Sequence, residues 1–98
     1  MLVEKKSQNT VVVSIKLVTG EEVIARKISD DDQHMIVSRP LAMVMAENPE
    51  NPSQTRVMFT PWMVASGKDV VTIKNLHVVA VTPAREDAAE QYETAINS

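Results

Sequence analysis

With 98 residues the chain is one domain on length, and its 13 acidic against 10 basic residues give a net charge of −3 with no cysteine. Disulfides, thiolate zinc sites and cysteine nucleophiles are thereby excluded, and no apolar run reaches the ~20 residues that a membrane-spanning helix needs. Four acids, Glu86, Asp87, Glu90 and Glu93, cluster beside Arg85; removing these four and that one base from the 13 and 10 leaves nine of each sign. A neutral body rules against a broad basic surface gripping duplex DNA, so any nucleic-acid site is local and gains weight by repetition. Phe59, Trp62 and Tyr92 are too few rings for a base-stacking sheet within one subunit. The opening Met1-Leu2-Val3-Glu4-Lys5-Lys6 lacks the apolar stretch of a secretory signal, so a cytoplasmic location is expected.

Residues 1–9 are polar and predict a flexible segment. From Thr10 the pattern is β: Val11, Val13, Ile15 and Leu17 recur at period two, Thr19-Gly20 marks a turn, and residues 21–28 return. Ser29-Asp30-Asp31-Asp32-Gln33 is a polar break, and a third strand spans 34–46 with a bend at Pro40. Residues 47–54, with two Asn-Pro steps, predict a loop. A fourth strand covers 56–60, Ser66-Gly67-Lys68-Asp69 predicts a turn, and a fifth strand spans 70–81 with an interruption at Lys74-Asn75. The only helical pattern is terminal, over 83–98. Thr82 is its candidate cap and Pro83 its first residue, with a small-residue stripe of Ala84, Ala88, Ala89, Tyr92, Ala95 and Ile96. The fold class is therefore mainly β: a five-stranded, strongly bent antiparallel sheet or open barrel over 10–82, followed by a C-terminal α-helix. An open barrel leaves raw strand edges, which a ring of identical subunits covers by strand addition.

No enzyme constellation is present, and neither a cofactor nor a metal ion is expected. Asp30-Asp31-Asp32 lacks the alternating ligands and central glycine of a calcium loop and reads as a solvated turn. Trp62, flanked by Pro61 and Met63, reads as core or interface, with base stacking as its alternative.

Leu17-Val18-Thr19-Gly20-Glu21-Glu22-Val23, then Asp32-Gln33-His34-Met35, and far downstream Ile73-Lys74-Asn75 together resemble the Sm-like (LSm) family, across about residues 11–81. Its first motif runs strand, glycine turn, strand, then Asp-x-x-Met-Asn into a third strand; its second is Ile-Arg-Gly before the last strand. The resemblance implies an SH3-like barrel. It also implies rings in which strand four of one subunit pairs with strand five of the next. Arg56, Val57, Met58 and Phe59 would then meet Val71 and Ile73, or residues 76–81, of a neighbouring copy. It further implies base binding at the inner rim. His34 matches the stacking position, Asp32 the orienting acid, Lys74 the arginine and Asn75 the glycine, where a left-handed conformation is expected.

Ile36 stands where the family has its base-reading asparagine, and it cannot hydrogen-bond a base edge. Lys74 lacks the planar fork of arginine. Arg39 is a candidate second phosphate contact or an interface ion pair, and Lys74 a phosphate contact or a solvated turn lysine. The implied function is a ring that binds single-stranded RNA or DNA with low base specificity, in nucleic-acid processing. A ring-forming structural or adaptor module is the alternative. With its helix after the last strand instead of before the first, the chain looks most like divergent bacteriophage members, cyanophage ones included, which places it in a host cytoplasm.

Overall fold

In the computed structural model the described residues are 11–63 and 65–97; the flexible segment expected over 1–9 lies outside them. The elements are β1 (Val11–Leu17), β2 (Glu22–Asp30), β3 (His34–Asn48), β4 (Asn51–Pro61), β5 (Val70–Lys74), a 3-10 turn (Asn75–His77), β6 (Val78–Pro83) and α1 (Glu86–Ile96). The strands form one antiparallel sheet in the order β4-β3-β2-β1-β6, with β5 also on β3.

Period-two alternation builds the core. Val13, Ile15 and Leu17 from β1 meet Val23 and Ala25 from β2, Met35 and Val37 from β3, and Ile73 from β5; Trp62, Val71 and Val78 pack against this cluster. Gly20, at φ 95°, turns β1 into β2.

The long strand β3 does two jobs. Its first half, from His34 to Ser38, pairs with β5, and its second half, from Leu41 to Asn48, pairs with β4. The break falls at Arg39-Pro40. Arg39 adopts φ 50°, the left-handed region that a non-glycine residue enters only when held there. It is held on several sides. The Arg39 amide donates to Asp69 O at 2.7 Å, and its guanidinium donates to Ile96 O at 3.1 Å and lies 3.6 Å from the Asp69 carboxylate. The Tyr92 hydroxyl, 2.8 Å from Arg39 O and 3.0 Å from Ser38 O, shares its one proton between them.

Three sequence expectations change. The stretch 70–81 is not one strand: β5 continues the line of β4 along β3, and β6 alone pairs with β1. The end of β4 and the approach to β5 are tied to the same bend of β3: the Trp62 amide donates to Pro40 O at 3.4 Å, and the Arg39 amide to Asp69 O at 2.7 Å. The expected loop over 47–54 shrinks, since Asn48 pairs with Asn51 and the Asn48 side chain accepts the Glu50 amide at 3.0 Å. Thr82 and Pro83 belong to β6, opposite Ser14 and Val13, and the helix begins at Glu86. A proline at the end of an edge strand needs no ladder donor.

α1 lies on the outer face of the sheet. Its Tyr92 is fully buried, and an Arg26–Glu93 ion pair closes the contact from the sheet side. The hydrogen bond to Glu93 raises the Arg26 pKa, and burial raises that of Tyr92.

Candidate functional site

The loop from β2 to β3 is shaped by Asp31. Its carboxylate accepts the amides of Gln33 and His34, both at 2.8 Å, and these bonds lower its pKa. The Asp31 amide in turn donates to His34 O at 2.8 Å. This small Asx-type closure sets His34 at the first position of β3, half-exposed, with Nδ1 3.9 Å from the Asp31 carboxylate.

Across the ladder, His34 is the direct partner of Lys74 on β5. Directly paired residues of neighbouring strands project to the same side, so an imidazole and an ammonium share one surface. Asn75, the next residue, locks the two segments together. Its amide donates to Gln33 O and its side-chain Nδ2 to Asp31 O, each at 2.8 Å. Its Oδ1 is buried with no partner among the described residues.

Residues from both motifs thus meet at one end of the barrel: Asp31, His34, Lys74 and Asn75, with exposed Asp32 on the same loop. Ile36 lies two residues along β3, opposite Ser29 and Thr72, and offers no polar group to the site. Arg39 is five residues from His34, roughly 16 Å along an extended strand, and its guanidinium is occupied by Asp69 and the helix end. The structure therefore does not bring Arg39 to this cluster.

Asn75 does not take the left-handed conformation expected of it. Arg39 is the only non-glycine residue with positive φ among the described residues, while Asn75 opens the 3-10 turn and acts through its side chain. Asp31 was hidden as one of three adjacent aspartates. The available signal was local: an aspartate two and three residues before a strand start closes a turn on the following amides.

The expected interface residues also find their places. Arg56, Val57, Met58 and Phe59 pair inward with β3, and the opposite edge of β4 has no strand beside it among the described residues. Val71 and Ile73 face β3 residues, and Ile73 is buried in the core. Because β4 and β5 share one border of the sheet, the complementary free border is β6, not residues 70–73.

A model of the Sm_like domain matches residues 14–93, four-fifths of the chain and all of the site just described. The chain belongs to the Sm-like family. No curated protein matches it. The Sm-like match takes in the C-terminal helix as well as the barrel, since residue 93 lies within α1. Among the described residues of this Sm-like chain, no three His, Asp or Glu side chains gather closely enough to hold a metal ion, and no helix is long and apolar enough to cross a membrane.

Proposed function

We propose that this protein is a divergent, bacteriophage-type Sm-like protein that closes into a homo-oligomeric ring in the cytoplasm. It binds single-stranded RNA or DNA weakly and with little base specificity, in nucleic-acid processing. The observation that carries this reading is the register pairing of His34 with Lys74, forty positions apart in sequence, beside an Asn75 clamp. Repeated around a ring, one imidazole and one ammonium per subunit make a rim on which modest contacts add by avidity. His34 stacks on a base, worth ~1–3 kcal/mol for a good platform, and Lys74 meets a phosphate. Ring closure is supported by the sheet order: β4 and β6, the borders with no further strand beside them among the described residues, lie at opposite ends of one sheet, as a head-to-tail contact requires.

The test is a titration of labelled short oligonucleotides at low and moderate salt, together with light-scattering mass. The His34→Ala, Lys74→Ala double variant is expected to weaken binding at least ~10-fold. Unchanged affinity refutes the rim. A second reading, a ring that serves only as a structural module, is favoured by Ile36 and by the acids Asp31 and Asp32 at the rim. Complete absence of binding by the intact ring at low salt decides for it.

A further inference from the structure

Trp62, just past the end of β4, lines a cleft that adjoins the rim site and shares Lys74 with it. This cleft, of about 310 Å³, opens between the β1–β2 turn, the 3-10 turn and the end of β4. Leu17 and Ile73, both core residues, contribute its apolar lining, and Trp62, Lys74, His77 and Glu21 line it as well. Trp62 is half-buried and packs against the core cluster while lining the cleft, so the indole is a fixed platform and not a free surface ring.

We propose that this cleft is a second base subsite, taking one unstacked nucleobase with an exocyclic amino group from the strand that crosses the rim. The inference rests on the single-strand-binding reading above and extends it, because Lys74 belongs to both places. The chemistry is complementary piece by piece. The indole and the apolar lining suit the face of a base, whose stacking is worth ~1–3 kcal/mol. The volume lies at the lower end of the ~300–1,000 Å³ typical of small-ligand clefts, which suits one base and not a stacked pair. Glu21 supplies a carboxylate that accepts from the amino group of adenine, cytosine or guanine. Uracil has no amino group and offers the carboxylate only its ring N3–H, flanked by two carbonyl oxygens that repel it. Lys74 supplies the cation that the adjoining phosphate needs, and His77 adds an imidazole at the same wall. Glu21 O accepts the Leu17 amide at 2.9 Å, and its carboxylate accepts the Thr19 hydroxyl at 3.1 Å through Oε1, which leaves Oε2 to meet a base amino group.

Trp62 is the only tryptophan in the chain, so tryptophan emission, excited at the red edge where Tyr92 does not absorb, reports on this cleft. The intact protein is titrated with short oligo-A, oligo-U and an abasic strand of equal length, following Trp62 emission and, in parallel samples, the anisotropy of a labelled strand. Oligo-A is expected to quench Trp62 with the same midpoint as the anisotropy change, oligo-U to quench less, and the abasic strand to bind without quenching. Trp62→Leu is expected to lose about tenfold in oligo-A affinity and nothing for the abasic strand. Trp62→Phe keeps the packing and most of the affinity, and Glu21→Gln narrows the difference between A and U. Binding by anisotropy with unchanged Trp62 emission overturns the subsite and leaves the rim standing. No binding of any strand overturns both.

Discussion

The barrel and the arm that leaves it are built from the same strands, yet they treat apolar side chains in opposite ways. In the barrel, Val13, Ile15 and Leu17 are 4%, 0% and 6% exposed. In the arm, formed by the second half of β3 and by β4, Val44, Met45, Val57 and Met58 are 45–66% exposed, and they stand at successive positions instead of alternating with polar residues. Met45 pairs with Val57 on one face and Val44 with Met58 on the other, so both faces of the arm are apolar. The difference is a matter of layers. A strand face is buried only when something lies over it, and the bent sheet folds over the barrel residues but not over the arm. Stability therefore resides in the barrel, and the arm keeps both apolar faces exposed, next to the border of β4 that has no strand beside it among the described residues.

The sharpest way to break that comparison is a pair of truncations. Ile15→Ala is expected to destabilise the fold by ~2–5 kcal/mol, seen as a lower denaturant midpoint at unchanged slope. Met45→Ala should change it by less than ~0.5 kcal/mol; equal losses would erase the distinction.

The hinge between the two regions gives the next effect. Tyr92→Phe removes the donor shared by Ser38 O and Arg39 O and is expected to lose ~1–2 kcal/mol. Burial raises the Tyr92 pKa, so the neutral phenol is the form that folding favours. Its contribution is full below the ordinary tyrosine range and fades as pH climbs through the raised folded-state value. Wild-type stability should fall in that alkaline window, and Tyr92→Phe should lose this part of the pH dependence.

Met58→Lys tests the arm as contact surface. The melting temperature of the subunit should stay near wild type, while the light-scattering mass drops toward that of single chains. A full-size assembly would show that the arm is merely exposed.

The smallest effect belongs to the rim loop. Asp31→Ala should speed amide exchange at Gln33 and His34, the two donors it loses, with little change elsewhere in β3. Protection left intact at both amides would mean the closure does not depend on that carboxylate.

Much of this was written locally. The period-two run of β1, the Thr19-Gly20 turn and the bend at Pro40 are legible because each rests on near neighbours in the chain. The candidate site is half legible: motif spacing singles out His34, Lys74 and Asn75, which the register brings together, but Asn75 holds the loop by its amide and its side chain instead of by a left-handed backbone. Arg39 reads in the sequence as a phosphate contact or an interface ion pair, and its place at the bend of β3, with φ 50° and its guanidinium beside Asp69 and Ile96 O, depends on distant segments.

Alternation, turn chemistry and the absence of cysteine determined an antiparallel β domain with an open edge, since those signals need only a few consecutive residues. Tertiary structure alone decided that β5 extends β4 instead of β6, that Trp62 and Asp69 both bond to the Arg39-Pro40 bend, and that His34 faces Lys74. Those choices depend on register between distant segments along one bent strand, and register is set by which side chains can share the core.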